Sequence, residues 1–234
     1  LGGIIIFSSL ILVFLYLYYF KNIFFIEYIS FCTLLFLLGT TDDFKINIAP
    51  KFRLFIMIIF VIFLIIYNNL SIKMISIEYL DHLMQIDIFA LFFVCLCFLF
   101  IINGSNLIDG FNGLLSIHSL IVISILYYIN LTNSNYDLAS FLFYVLLIIA
   151  IFIKFNFPKA QMFLGDGGAY LLGSLIAISA ISTNNLNLEI SSFFFCILLF
   201  YLFFEVFFSF FRKIFVVRQN PFLPDNKHLH MLLY

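Results

Sequence analysis

The chain has 234 residues, of which 65% are hydrophobic and 10% are charged, and its mean hydropathy is +1.20. Soluble domains carry about 25% charged residues, so this chain lacks the polar surface that a water-soluble globule needs. The composition instead predicts an all-α polytopic integral membrane protein that forms a single domain over residues 1–234. The formal net charge of −1 provides no basic field, so we expect no nucleic-acid partner.

Eight apolar runs follow one another along the chain, and they predict about eight transmembrane helices. They cover residues 4–20, 28–40, 52–70, 88–102, 113–130, 137–153, 169–183 and 190–211. Three of them, 28–40, 88–102 and 169–183, are shorter than the roughly 17 to 25 residues that span a bilayer. These three either extend into their polar flanks or are half-helices that end at a polar site. The segment 71–80 alternates partly between apolar and polar residues, which predicts a short strand or an interfacial segment.

The basic residues are divided unequally between the two sets of loops that eight spans define. One set, together with its flanks, holds nine of the eleven Lys and Arg residues: Lys45, Lys51, Arg53, Lys154, Lys159, Arg212, Lys213, Arg218 and Lys227. The other set holds only Lys21 and Lys73. Because the loops on the cytoplasmic side of membrane proteins carry the excess of positive charge, the first set is predicted to face the cytoplasm.

The first polar motif in that set is T-T-D-D-F-K at residues 40–45, followed by Lys51 and Arg53. The adjacent carboxylates of Asp42 and Asp43 repel each other, and such a pair is tolerated when a cation neutralises it. The basic residues that follow are suited to phosphate oxygens. The alternative is a plain charged loop at the membrane edge.

The second polar motif is N-G-S-N-L-I-D-G-F-N-G at residues 103–113. On a helix, Asn106 and Asp109 lie three residues apart on one face, and Asn103 and Asn112 continue that line. So many hydrogen-bonding groups at the end of an apolar run indicate a functional site. The alternative is a cluster that only caps two helix ends.

The third polar motif is N-F-P-K-A-Q-M-F-L-G-D-G-G at residues 156–168. Asp166 is flanked by glycines just before an apolar run. Its carboxylate can bind Mg²⁺, and the start of the following helix leaves N–H groups free for an anion. The alternative is an Asp that caps the helix, with glycines forming the turn.

The fourth polar motif is P-D-N-K-H-L-H at residues 224–230. His228 and His230 are suited to bind a metal or a phosphate, or to act as acid and base. The alternative is a pair of surface histidines.

All four motifs lie in the loops predicted to share one membrane face, and this weakens the alternative explanation of each. Together they supply carboxylates for Mg²⁺, cations for phosphates and amides for a sugar, which is the equipment for phosphoryl transfer at a membrane surface. A secondary transporter is the alternative from another class. It would need inverted repeats and polar groups near the bilayer midplane, and the sequence shows no repeat.

In this order, the four motifs resemble those of the polyprenyl-phosphate N-acetylhexosamine-1-phosphate transferases, a family that includes the phospho-MurNAc-pentapeptide translocase. The resemblance implies transfer of an N-acetylhexosamine 1-phosphate from a UDP-sugar to undecaprenyl (polyprenyl) phosphate, with release of UMP. This would be the first membrane step of a cell-envelope glycan such as O-antigen or teichoic acid. It also implies a place in the bacterial inner membrane, an active site facing the cytoplasm, and Mg²⁺ or Mn²⁺ as cofactor, and it allows a homodimer.

The resemblance further implies roles for individual residues. The expected catalytic residues are Asp42, Asp43 and Asp109. The expected metal ligands are Asn106, Asp109 and Asp166. The expected substrate-binding residues are Lys51, Arg53, Asn103, Asn112, Asn156, His228 and His230. A lipid phosphate is mostly dianionic at pH 7, so we assign most of the catalysis to neutralisation by Mg²⁺, Lys and Arg. Asp42 as a general base is the secondary hypothesis.

Two departures from the family pattern affect the expected substrate. Family members commonly have a further His where this chain has Met231, and the translocase branch usually has Asp where this chain has Asn112. Both favour the hexosamine-1-phosphate branch, with the phospho-MurNAc-pentapeptide transferase as the alternative. Family members are also longer, with a helix before Gly2 and more chain after the histidine motif. We therefore expect this chain to be a fragment, and an inactive relative is a further alternative.

Overall fold

The computed structural model describes residues 2–46, 48–72, 75, 77–216 and 218, and the regular secondary structure of these residues is entirely helical. The helices are α1 (Gly2–Tyr16), α2 (Ile26–Asp43), α3 (Pro50–Tyr67), α4 (Glu78–Met84), α5 (Asp87–Ile108), α6 (Leu114–Thr132), α7 (Tyr136–Asn156), α8 (Gly165–Leu186), α9 (Ser192–Leu198) and α10 (Phe200–Phe211). Helices α1 and α10 each continue into a π-helical turn, Leu17–Lys21 and Arg212–Val216 respectively.

The predicted all-α polytopic membrane fold is confirmed. Each apolar run lies largely on one helix, and the last run lies on the pair α9 and α10. Six helices in the described part of the chain are long and apolar enough to cross a membrane: α1 with its π-helical turn, α3, α5, α6, α7 and α8. The pair α9–α10, bent by 65°, makes a seventh if it is one span. Helix α2 has 18 residues but is more polar, because it carries Glu27, Asp42 and Asp43.

The three short runs extend into their polar flanks, so the half-helix alternative is wrong. Helix α2 continues to Asp43, α5 continues to Ile108, and α8 begins at Gly165. The residues of the first three polar motifs therefore lie on, or directly beside, the ends of rigid helices. This makes their relative positions well defined.

The predicted strand in segment 71–80 is wrong for the residues that the structure describes there. Glu78 begins the short helix α4, and residues 71, 72, 75 and 77 lie in no strand. The backbone N–H of Ile75 donates to Asp81 Oδ1 over 2.7 Å. The partial alternation thus belongs to a connecting segment that is fastened to α4 by a side chain, and not to a strand that needs a neighbour.

Helix α8 is the central helix of the fold. It packs against α1, α2, α5 and α6, and 83% of its most apolar 18-residue window is buried, against 39% or less for the other single-helix candidate spans. Small residues allow this close packing: a Cβ placed on Gly173 would lie 2.9 Å from Ile102 Cα in α5. The middle of α8 is therefore enclosed by other helices, and its two ends lie beside the ends of its neighbours.

The far end of α8 is held by a network of asparagine side chains. Asn187 Oδ1 accepts from Asn133 Nδ2 (2.6 Å) and from Asn135 Nδ2 (3.0 Å). Asn187 Nδ2 in turn donates to the backbone oxygen of Thr183 over 2.7 Å. Buried Asn130 donates to Thr183 Oγ1 over 2.8 Å. The network ties the α6–α7 connection to the end of α8.

Replacing Asn187 by Ala is expected to lower the free energy of unfolding by about 1–3 kcal/mol, because several amide groups lose their partner together. For a protein of this size the thermal midpoint in detergent then falls by roughly 2–4 °C per kcal/mol. Asn133→Ala is the matched control. It should cost less, since Asn135 continues to donate to Asn187. Equal midpoints for both variants and the parent protein would contradict a stabilising role for the network.

Candidate active site

Residues of the first three polar motifs meet at one end of the helical bundle. The C-terminal ends of α2 and α5 and the N-terminal ends of α3 and α8 lie together there. Arg53 forms ion pairs with Asp42 and with Asp166, and Asn106 donates to Asp166. Residues that are far apart in the sequence, such as Arg53 and Asp166, are thus in direct contact, as expected if the motifs build one site.

Arg53 is the cation at the centre of this cluster. Its Nη1 is paired with Asp42 and lies 3.4 Å from Asp166 Oδ2. Its guanidinium also lies over the ring of Tyr170, 5.8 Å from the ring centroid, within the range of a cation–π contact. One guanidinium therefore pairs with two carboxylates from different helices. This contact holds the ends of α2, α3 and α8 together.

The side chain of Asp166 is held from two sides. Asn106 Nδ2 donates to Oδ1 over 3.1 Å, and Arg53 Nη1 donates to Oδ2 over 3.4 Å. Asp166 remains 40% exposed, so its oxygens are accessible to a ligand. Two of the expected metal ligands, Asn106 and Asp166, are therefore in direct contact, and their binding of a metal stays a prediction.

Asp43 contacts the main chain of α8 instead of the side chains of the site. Its Oδ1 accepts the N–H of Asp166 (2.9 Å), and its Oδ2 accepts the N–H of Gly167 (3.1 Å). The first N–H groups of a helix have no partner within the helix, so these bonds satisfy two of them. The two adjacent carboxylates of the first motif thus make different contacts.

Asp109 lies directly after α5 and is largely buried. Burial, with smaller contributions from the carboxylates of Asp166 and Asp43, raises the pKa of Asp109 from 3.8 to about 7. A cation bound beside these carboxylates would reverse the electrostatic part of this shift and favour the ionised form.

The residues at this end of the bundle fit a magnesium ion that is shared with a substrate. Asp166, Asp109 and the amide of Asn106 offer oxygen donors, which hard cations prefer. Among the described residues, no group of three His, Cys, Asp or Glu side chains is arranged to hold a metal by itself. Mg²⁺ commonly uses only one or two carboxylates together with substrate phosphates and water, so this donor set is sufficient for it.

Asn156, predicted to bind substrate, is only 4% exposed and connects two loops. Its Oδ1 accepts the N–H of Gly113 (2.8 Å) and the hydroxyl of Ser116 (3.3 Å). Its Nδ2 donates to the backbone oxygen of Met162 over 2.8 Å. Asn156 therefore joins the second and third motifs through hydrogen bonds. Its contact with a substrate stays a prediction.

The contacts of Asn103 and Asn112 lie outside the cluster of Arg53, Asp166 and Asn106. Asn103 donates to the backbone oxygen of Leu99 in its own helix over 2.7 Å. Exposed Asn112 lies 3.5 Å from the backbone oxygen of Pro158, and Lys51 is exposed in the first turn of α3. Their roles stay predictions. His228 and His230 lie outside the described residues.

Sequence reasoning missed Tyr170, whose ring supports Arg53. A signal was available: Tyr170 lies four residues after Asp166, so both side chains occupy one face of α8. A tyrosine in an apolar run resembles a residue of the hydrophobic core, so the sequence pattern does not mark it as part of the site.

Comparison with known proteins shows to which family this chain is similar. The profile of glycosyl transferase family 4 matches residues 25–184, which contain all the contacts described at this site. An undecaprenyl-phosphate alpha-N-acetylglucosaminyl 1-phosphate transferase of Thermotoga maritima is 34% identical over 143 residues, which is 61% of this chain and 42% of that protein.

Two phospho-N-acetylmuramoyl-pentapeptide-transferases also match. The protein from Dictyoglomus turgidum is 32% identical over 223 residues, 92% of this chain and 69% of its own length. The protein from Campylobacter jejuni is 29% identical over 212 residues, 79% of this chain and 60% of its own length. The chain thus spans about half the length of the Thermotoga and Campylobacter relatives.

Proposed function

Since the chain belongs to glycosyl transferase family 4, we propose that the protein transfers an N-acetylhexosamine 1-phosphate from a UDP-sugar to a polyprenyl phosphate and releases UMP. The observation that carries this proposal is the cluster of Arg53, Asp166 and Asn106 at one end of the bundle. It combines a cation for phosphate with carboxylate and amide oxygens for a divalent metal. Both are needed to bring two phosphate groups together.

In the proposed reaction, an oxygen of the lipid phosphate attacks the phosphorus attached to the sugar. The new P–O bond forms as the bond to the UMP phosphate breaks, and UMP leaves with the electron pair. Both reactants are negatively charged, so the main task of the protein is to neutralise and align them. Arg53, and Lys51 at the start of the same helix, are suited to bind phosphate oxygens.

The proposed cofactor is Mg²⁺, with Mn²⁺ as a substitute, and Asp166, Asp109 and Asn106 would hold it. When bound, it supplies positive charge at phosphate oxygens. Arg53 neutralises Asp166 through the contact described above. Asp42, paired with the same arginine, keeps the guanidinium directed towards the site.

The proposed location is the bacterial inner membrane, with this site on the cytoplasmic face. The unequal distribution of Lys and Arg supports this orientation. A UDP-sugar is made in the cytoplasm and a polyprenyl phosphate is held in the bilayer, so a site at the membrane edge is accessible to both. Assembly as a homodimer stays a prediction.

The phospho-MurNAc-pentapeptide transferase activity is the second candidate, and a specific observation favours it. The Dictyoglomus relative that carries this name aligns with 92% of this chain. Asn112 and Met231 favour the hexosamine branch, as argued from the sequence. The two candidates differ in the sugar nucleotide and share the transfer step.

A UMP-release assay tests the proposal. The full-length protein in detergent is incubated with polyprenyl phosphate, Mg²⁺ and one UDP-sugar at a time, including UDP-GlcNAc and UDP-MurNAc-pentapeptide. We expect release of UMP that requires both the lipid phosphate and the metal. No release with any sugar nucleotide would contradict the enzyme proposal and favour the transporter or the inactive relative. Release with UDP-MurNAc-pentapeptide alone would select the second candidate.

A further inference from the structure

The two adjacent carboxylates at the end of α2 have different surroundings. Asp42 is paired with the Arg53 side chain, whereas both oxygens of Asp43 accept backbone N–H groups of α8. The residue that precedes α8, Leu164, provides no side-chain cap. Asp43 therefore caps α8 from a neighbouring helix.

The carboxylate of Asp43 is enclosed by the main chain of the first turn of α8. A Cβ on Gly165 would lie 2.7 Å from Oδ1, and a Cβ on Gly167 would lie 3.1 Å from Oδ2. Gly165 also has a φ of +75°, which a residue with a side chain adopts only with strain. The glycines of the third motif thus leave the space that the carboxylate fills.

The same contact determines where Asp166 lies. A Cβ on Gly39 would lie 2.6 Å from the backbone oxygen of Asp166, so the main chains of α2 and α8 are in direct contact. Asn106 and Arg53 hold the side chain of Asp166, while Asp43 holds its backbone N–H. A negative charge at this place is also favoured by the positive end of the α8 dipole.

We propose that Asp43 is a positioning residue that holds Asp166 in place through the main chain of α8 and does not touch the reacting atoms. This rests on the proposed function, in which Asp166 binds the metal. The proposal separates two residues that the sequence pattern treats as a pair. Asp42 belongs to the charged cluster, whereas Asp43 contacts the main chain of α8.

Hydrogen exchange tests the positioning role without any need for activity. In the full-length protein, Asp43→Ala should speed exchange in a peptide covering residues 165–168 by about 10-fold, because two N–H groups lose their acceptors. Asp43→Asn should have a smaller effect, since its amide oxygen can still accept one of the two bonds. Asp42→Asn is the matched control and should speed exchange in this peptide much less than Asp43→Ala, because Asp42 is paired with the Arg53 side chain and not with the main chain of α8. Unchanged exchange in Asp43→Ala would overturn the proposal.

Kinetics then separate positioning from chemistry. Asp43→Ala should reduce kcat by about 100-fold and raise the half-saturating Mg²⁺ concentration. Asp43→Asn should recover activity to within about 10-fold of the parent protein, because capping needs an acceptor and not a charge. An Asn variant as inactive as the Ala variant would overturn the proposal. If the parent protein released no UMP, the proposed function would fail, and the exchange result would still decide the role of Asp43.

Discussion

Replacing Asp166 by Asn is expected to reduce kcat for UMP release by about 1,000-fold, because Asp166 contacts three other residues of the site and is the proposed metal ligand. Its oxygens accept from Asn106 and Arg53, and its backbone N–H donates to Asp43. Asn has nearly the same shape, so packing is retained while the charge is lost. We expect the half-saturating Mg²⁺ concentration to rise as well. Both quantities are measured in the UMP-release assay with a titration of Mg²⁺.

Asp137→Asn is a suitable control for this experiment. Asp137 is an exposed carboxylate in the first turn of α7, at the opposite end of the bundle from Asp166. Its replacement should leave both kcat and the Mg²⁺ requirement unchanged. Activity of Asp166→Asn within about 10-fold of the parent protein would show that Asp166 does not bind the metal or the reacting phosphates.

Replacing Arg53 by Ala is expected to reduce kcat by roughly 100- to 1,000-fold, because one guanidinium neutralises carboxylates on two helices. Without it, Asp42 and Asp166 are left with uncompensated negative charge at the place where phosphates must approach. Arg53→Lys keeps the charge but loses the planar fork and the stacking on Tyr170. We therefore expect it to lie between the Ala variant and the parent protein, at a loss of about 10-fold.

The comparison of Arg53→Ala with Arg53→Lys is the most decisive measurement on this arginine. Charge neutralisation predicts that Arg53→Lys keeps clearly more activity than Arg53→Ala at every pH from 6 to 9, although less than the parent protein. If Ala and Lys were equally inactive, the geometry of the guanidinium would matter more than its charge. Near-normal activity of Arg53→Ala would contradict the assignment of Arg53 to the phosphates.

Hydropathy and charge predicted the helical membrane fold, because a spanning helix must be long and apolar and this is visible in a single sequence. Helix ends were less predictable. The apolar run at 28–40 ends before Asp43 and the run at 169–183 begins after Asp166, yet both residues lie within helices. Hydropathy reports where the bilayer ends, and a helix continues beyond that point when its last turn is held by another helix.

The motifs identified most of the residues that meet at the site, but they did not show that residues adjacent in the sequence make different contacts. Asp42 and Asp43 are equivalent in the sequence, and only the position of α8 shows that one meets Arg53 and the other meets the main chain. For Asn156, likewise, no local pattern indicates the three hydrogen bonds by which it joins the second and third motifs. Such roles depend on contacts between distant segments, which no local pattern contains.

The central position of α8 has a consequence for how the protein is made. Its most apolar window has a mean hydropathy of 1.2, against 1.9 to 2.6 for the other single-helix candidate spans, and it follows its neighbours α1, α2, α5 and α6 in the chain. During synthesis these helices therefore enter the bilayer before α8. The least hydrophobic candidate span thus inserts when the helices that it packs against are already present. We expect α8 to insert poorly alone and well behind its predecessors, a difference that an insertion assay of each isolated span would measure. We therefore expect the helix ends that form the candidate site to come together only after α8 has inserted.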